Sequence, residues 1–105
     1  MNLDFLRPYV KDPYIVDRVH VHDVSIMFKG YVACTIGHHV FILKGQNKTT
    51  VMIHEIKHVE QVEEWGFFTF YFLYFYQLLR YGYREISFEK EAREFARKVL
   101  DDNLL

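Results

Sequence analysis

A change of pattern at Gly45 constrains the fold of this chain more than any other feature. Residues 14–44 are rich in Val, Ile, Tyr and Phe, with apolar and polar positions alternating locally, and glycines interrupt them at Gly30 and Gly37. Alternation with a period of two residues between such breaks predicts short strands. The predicted strands form an antiparallel meander and cover residues 16–28, 31–36 and 39–44.

Beyond Gly45 the apolar spacing becomes helical, with Gly66 and Gly82 as breaks. Glycine commonly follows the last helical residue, and Ser or Thr commonly precedes the first. The predicted helices are residues 50–65, capped by Thr49, an aromatic helix ending at Arg80, and residues 87–100, capped by Ser87. The first 13 residues, with Pro8 and Pro13, are a lead-in with room for a short helix. The predicted class is α+β, a three-stranded antiparallel sheet followed by about three helices.

Composition limits the chain to a few classes of protein. Its 105 residues are enough for one domain, residues 1–105, but not for two cores. A net charge of −1 argues against binding nucleic acid, which requires a basic surface. One cysteine, Cys34, allows no internal disulfide, and the N-terminus lacks the pattern of a secretory signal. We therefore expect a cytoplasmic protein.

The segment Phe67–Leu79 is apolar except for Thr69 and Gln77. A helix of this length spans roughly 20 Å, too short for a hydrocarbon core of about 30 Å, so we predict no transmembrane segment. Three interpretations of its composition stay open: burial between the other helices and the sheet, a contact between copies of the chain, or contact with a membrane surface.

The residues with the clearest chemical implication lie on the first predicted helix. His54 and His58 are four residues apart, so both imidazoles lie on one face and can bind one tetrahedral ion. Glu55 is about 100° round the helix, close enough to act on a metal-bound water. We therefore predict zinc held by His54 and His58, with Glu55 as general base. Lys57 and Glu60 are expected to point to solvent.

A catalytic zinc site needs a third protein ligand, and a downstream carboxylate is expected to provide it. Glutamates on the same helix cannot fold back onto the ion. Glu89 and Glu91, at the start of the last helix, both remain candidates, because spacing alone does not choose between them. The full set of downstream glutamates is Glu60, Glu63, Glu64, Glu85, Glu89, Glu91 and Glu94.

The segments His54–Gln61 and Phe88–Arg93 together resemble the gluzincin zinc peptidases. That resemblance implies Glu89 as the third ligand and Ala92 as the small residue that follows it by three positions. The short form is similar to the minigluzincins, soluble minimal scaffolds related to the catalytic domains of integral-membrane metallopeptidases. The resemblance covers roughly residues 14–100.

One position departs from that family pattern. Arg93 stands where many gluzincins have an aspartate that hydrogen-bonds a ligand histidine, so a backbone carbonyl or Glu94 would have to replace it. Gln61 continues the ligand stripe, where it could contact substrate or support a ligand, but we interpret it as a surface glutamine. Tyr81 or Tyr83 could donate to an oxyanion, although packing is the simpler role.

The remaining candidates have simpler structural explanations. Structural or solvated roles are predicted for the other histidines, and a buried apolar role for the cysteine. Trp65 is predicted to be core. These histidines and cysteine are His20, His22, His38, His39 and Cys34.

The sequence therefore predicts a zinc-dependent metallopeptidase that cleaves peptide or protein substrates lying along an edge strand of the 31–44 region. The alternative is a catalytically silent zinc-binding scaffold or an oligomerisation module. A homo-oligomer is expected, and a further hypothesis is latency, in which the tail Asp101–Leu105 occupies the site of a neighbouring copy.

Overall fold

A computed structural model describes residues 2–28 and 30–103 of the chain. The α+β class is confirmed, with a three-stranded sheet against helices. The strands are β1 (His20–Val24), β2 (Ala33–Ile36) and β3 (His39–Leu43). The helices are α1 (Ile15–Arg18), α2 (Lys48–Trp65), α3 (Phe67–Tyr81) and α4 (Ser87–Asp102), and short 3-10 helices cover Asp4–Tyr9 and Tyr83–Glu85.

The sheet is mixed, so the prediction of a wholly antiparallel meander is wrong. β3 lies in the centre, antiparallel to β2 through the turn at Gly37 and parallel to β1. Val40 and Ile42 of β3 are fully buried, whereas β1 carries His20, His22 and Asp23. Because the apolar strand β3 is buried in the centre, the chain that leaves β1 crosses to the opposite edge of the sheet, where it forms β2. The predicted first strand, residues 16–28, is also too long, because its first residues belong to α1 and the strand itself covers His20–Val24.

The helix α2 lies between the sheet and α4 and provides most of the core. Its first backbone groups are capped by Asn47, whose Oδ1 accepts from the backbone N–H of Thr50 at 3.1 Å, and not by Thr49 as predicted. Gly66 ends it as predicted, with a φ of 85° that other residues rarely adopt. The fully or almost fully buried apolar residues of this core are Leu6, Ile15, Val40, Ile42, Met52, Ile53, Ile56, Val59 and Val99.

The aromatic helix α3 is mostly exposed, so burial alone does not explain its composition. Phe70 is its one buried residue among those described, whereas Phe68 and Leu79 are 86% and 87% exposed. Trp65, predicted to be core, is half exposed and packs edge-on against Phe88. Within residues 2–28 and 30–103, no helix is both long and apolar enough to cross a membrane.

The helix α4 begins at Ser87 as predicted, but the Ser87 side chain forms no capping hydrogen bond. Instead, its backbone N–H donates to Gln77 Oε1 at 2.6 Å, which ties α3 to α4. The helix continues to Asp102, so the first residues of the predicted tail are helical. The last two residues, Leu104 and Leu105, lie outside the described part of the chain.

Candidate metal centre

Three side chains from α2 and α4 converge on one point. His54 and His58 are one turn apart on α2, and their Nε2 atoms are 3.2 Å apart. Glu89, in the first turn of α4, has Oε1 at 3.0 Å from His54 Nε2 and Oε2 at 3.1 Å from His58 Nε2. These are the two histidines chosen from their spacing and the glutamate implied by the family resemblance.

The geometry and the donor types fit a metal ion. Atoms bound to a tetrahedral ion at about 2.0–2.2 Å lie roughly 3.3–3.6 Å from one another, so a small outward movement of the three would complete the coordination. His58 and Glu89 are 5% and 4% exposed, whereas the side chain of His54 is 26% exposed. The cluster could therefore hold a metal ion with one side open.

Apolar packing at the start of α4 brings Glu89 to this point. Ile86 and Phe88 are buried at the start of α4, and the Phe88 ring packs at a tilt against Phe70 of α3, with the ring centroids 4.6 Å apart. Ala92 is fully buried one turn later, where a small side chain lets α4 approach α2 closely. Glu89 thus faces the histidines because its neighbours are anchored in the core.

Charges within the cluster oppose the effect of burial. Burial disfavours ionisation of Glu89, but hydrogen bonds with His54, His58 and Tyr74 outweigh it and hold the pKa of Glu89 well below its ordinary value. Burial likewise disfavours the charged form of His58, yet its contact with Glu89 and the charge of Glu55 raise its pKa. Glu89 is therefore held in its ionised form beside the imidazoles, the form in which a carboxylate can bind a cation.

Glu55 lies beside the cluster and outside its ligand set. It is 5% exposed, its carboxylate makes no hydrogen bond to the described residues, and neither oxygen is sealed from solvent. Burial raises the pKa of Glu55, the nearby His58 and His54 oppose that shift, and Glu89 adds to it. A carboxylate unengaged by protein donors is free to accept a proton from a bound water.

The structure places Gln61 at the site, in the less favoured of the two roles that the sequence offered for it. Gln61 is 1% exposed, so its interpretation as a surface glutamine is wrong. Its Oε1 is 2.9 Å from His58 Nδ1, the ring nitrogen that faces away from the metal position. Glu94, one of the two replacements that the sequence offered, instead pairs with Arg97 on the surface. Its i+3 spacing from His58 was the available signal, but only the position of α4 shows that it is buried.

Glu60, also expected to face solvent, is buried as well. Its Oε1 accepts from Lys57 Nζ at 2.6 Å and its Oε2 accepts from the backbone N–H of Lys11 at 2.8 Å. The Lys57 ammonium lies 5.3 Å from the ring centre of Phe95. The lead-in therefore covers a face of α2 that the sequence left open to water.

The other downstream glutamates do not join the cluster. Glu91 Oε1 accepts from Gln61 Nε2 at 2.9 Å, and Glu85 pairs with Lys90. Among the described residues, no other trio of His, Cys, Asp or Glu has ligand atoms as close together as His54, His58 and Glu89.

A tyrosine that the sequence analysis did not single out contacts the centre. The hydroxyl of Tyr74, on α3, donates to Glu89 Oε2 at 2.7 Å. Of the two tyrosines named from the sequence, Tyr83 is close enough to Glu89 for that charge, after burial, to raise its pKa. Tyr81 is 58% exposed. No sequence pattern distinguishes Tyr74 among so many aromatic residues.

The remaining histidines lie elsewhere. His20, His22 and His39 stack on the outer face of the sheet, where His22 Nε2 is 3.0 Å from His39 Nδ1. His38 pairs with Glu63 at 2.7 Å. Their predicted structural role is consistent with these contacts.

Comparisons with protein-family models, with curated proteins and with solved structures found no match to this chain. Inference about its function therefore depends on its own residues and on the motif resemblance given above.

Proposed function

We propose that this protein is a zinc-dependent metallopeptidase. The observation that carries the proposal is the convergence of His54, His58 and Glu89 beside a buried carboxylate, Glu55, that no donor among the described residues engages. Two imidazoles, one carboxylate and an open side form a donor set that catalytic zinc sites use. Structural zinc sites, in contrast, close all four positions with protein ligands.

In this proposal one set of residues holds the zinc ion and another takes part in the reaction. Bound zinc would polarise a substrate carbonyl and lower the pKa of a coordinated water to about 7. Glu55 would take the proton from that water and return it to the leaving amine, a role open to a carboxylate that no donor among the described residues engages. Tyr83, near Glu89, is our candidate donor to the developing oxyanion, and Tyr74 holds Glu89 in place.

The substrate would bind as an extended strand along β2. The sequence predicts that substrate binds along an edge strand within residues 31–44, and β2 is the edge strand of that region because β3 is central. β2 also packs against α2. Val32 O accepts from Leu43 N, and alternation along an antiparallel pair then turns the backbone groups of Ala33 and Thr35 towards the free edge. Tyr71 already donates to Thr35 O at 2.7 Å, so we expect Ala33 to provide the backbone contacts.

The test combines metal analysis with peptide cleavage. Wild-type protein is expected to contain stoichiometric zinc and to cleave a denatured protein or a quenched-fluorescence peptide. Glu55→Gln should retain zinc and lose activity about 10²–10⁴-fold, because it removes only the general base. His58→Ala should lose zinc, and Glu64→Gln, on the exposed side of α2, is the matched control that should change neither quantity.

Two outcomes would contradict the proposal. Equal zinc loss in Glu55→Gln and His58→Ala would mean that Glu55 is a ligand and not the base. Stoichiometric zinc without cleavage by the wild-type chain would favour the alternative, a catalytically silent zinc-binding scaffold or oligomerisation module.

The exposed aromatic face of α3 supports a role for self-association in that alternative and in the proposed latency. An apolar face as large as the one formed by Phe68, Phe72, Phe75 and Leu79 usually marks an interface in a small protein. A homo-oligomer or a membrane surface would cover it, and the cytoplasm remains our proposed location. If association makes the site latent, specific activity should fall as the protein is concentrated.

A further inference from the structure

We propose that Gln61 is a positioning residue that fixes the ring of His58 so that Nε2 faces the metal. The inference rests on the proposed metal centre and adds to it a residue that does not touch the ion. Gln61 is 1% exposed, and its side-chain amide contacts the ligand histidine on α2 and two groups on α4.

The contacts on α4 determine which way the amide faces. Gln61 Nε2 is 3.1 Å from the backbone carbonyl oxygen of Phe88 and 2.9 Å from Glu91 Oε1. Both of these oxygens only accept hydrogen bonds, so the NH₂ group must be on their side. A flipped amide would place its oxygen against two acceptors, which is unfavourable in a buried site. The amide oxygen of Gln61 is therefore directed at His58.

The orientation of the amide in turn determines where His58 carries its proton. Gln61 Oε1 lies 2.9 Å from His58 Nδ1 and can only accept, so Nδ1 must donate. When a metal binds, the imidazole has to be neutral, and a neutral imidazole protonated on Nδ1 has its lone pair on Nε2. That nitrogen lies 3.2 Å from His54 Nε2 and 3.1 Å from Glu89 Oε2, at the point where the ligand atoms converge.

The same amide also fixes the position of α4 relative to α2. Phe88 and Glu91 lie one residue before and two residues after Glu89, so the two donated hydrogen bonds bracket the third ligand. Water cannot replace these contacts easily, because the side chain is almost fully buried. Gln61 thereby links the orientation of one ligand to the placement of another.

The test compares Gln61→Met with Gln77→Met, using the full chain loaded with zinc. Methionine has nearly the length of glutamine but no amide. Gln77 is the matched control, because its amide also contacts the start of α4, at the backbone N–H of Ser87, without touching a ligand. Zinc affinity is measured by competition with a chelator, and the histidine ring nitrogens are assigned by ¹⁵N NMR.

We expect Gln61→Met to weaken zinc binding about 10–100-fold, the usual effect of losing a hydrogen bond to a ligand histidine, while Gln77→Met binds like the wild type. In the wild-type protein, His58 should bind zinc through Nε2, with a slowly exchanging proton on Nδ1. That proton should exchange much faster in Gln61→Met. Loss of stability alone would not change which nitrogen of His58 binds zinc.

Two results would overturn the inference while the metal centre stands. One is coordination of zinc through Nδ1 of His58 in the wild-type protein, a measurement that needs no variant to fold. The other is equal zinc affinity for Gln61→Met and the wild type, which would leave Gln61 as a structural link between helices. A wild-type chain that binds no zinc would refute the proposed function itself, and this inference with it.

Discussion

Replacing Glu89 by alanine gives the sharpest test of the centre, because the structure assigns it three contacts and assigns Glu91 a different role. Structural zinc sites bind with about 10–16 kcal/mol over four ligands, or roughly 2.5–4 kcal/mol per ligand. At about 1.4 kcal/mol per factor of ten, Glu89→Ala should weaken zinc binding roughly 10²–10³-fold. Chelator competition followed by fluorescence or absorbance measures this directly.

The same variant should also lose stability without metal. Removing the carboxylate leaves the Tyr74 hydroxyl and the ring of His58 without their acceptor. A buried polar group without a partner costs about 1–3 kcal/mol. The variant recovers part of this cost, because it no longer has to bury a carboxylate. Urea unfolding of the metal-free protein should therefore show a loss of about 1–3 kcal/mol.

Glu91→Ala is the matched control. It removes one hydrogen bond to Gln61, whose amide keeps the carbonyl of Phe88 as an acceptor. Zinc affinity should fall by at most about tenfold, because the lost hydrogen bond acts on the ion only indirectly, through Gln61. If Glu91→Ala loses as much affinity as Glu89→Ala, the assignment of the third ligand, and with it the register of α4, is wrong.

Two further predictions concern stability. Asn47→Ala should lower the free energy of unfolding in urea by about 1 kcal/mol, because it removes the cap of α2. Thr49→Ala should lower it much less. If Thr49→Ala is the more destabilising of the two, Thr49 is the cap, as the sequence predicted. Burial raises the pKa of Glu63, but hydrogen bonds from Arg18 and His38 outweigh it and hold that pKa below 4.5. Its stabilising effect is therefore present above pH 4.5 and is lost as the pH falls through the lowered pKa. Thermal unfolding should show Glu63→Gln less stable than the wild type at pH 6 and converging with it in acid; a difference independent of pH would refute the charge effect.

The sequence predicted the parts of the site that local geometry determines. The spacing of His54 and His58 places both rings on one helical face whatever the rest of the chain does. The choice between Glu89 and Glu91 depends on the docking of α4, which spacing could not provide. The family resemblance implied Glu89, and the structure brings that residue to the histidines.

The errors in the predicted fold arise from contacts between distant segments. The parallel pairing of β1 with β3 depends on which strand the core buries, not on the order of strands along the chain. The burial of Glu60 depends on a backbone N–H donor 49 residues away, at Lys11. Neither donor nor partner strand is visible in a local window of sequence.

The distribution of polarity between α2 and α3 follows from where the site has to be. α2 buries Glu55, His58, Glu60 and Gln61, whereas α3 exposes a row of aromatic side chains. A histidine that binds a metal through one ring nitrogen needs a hydrogen-bond partner at the other nitrogen and a carboxylate beside the ion. Only a helix that is covered on several sides can have both. In a chain of 105 residues, the lead-in, the sheet and α4 are used to cover α2. The helix α3 contributes Phe70 and Tyr74 to the interior and presents its opposite face to the outside. The exposed aromatic face is thus the side of α3 that the packing around the polar centre of α2 does not use.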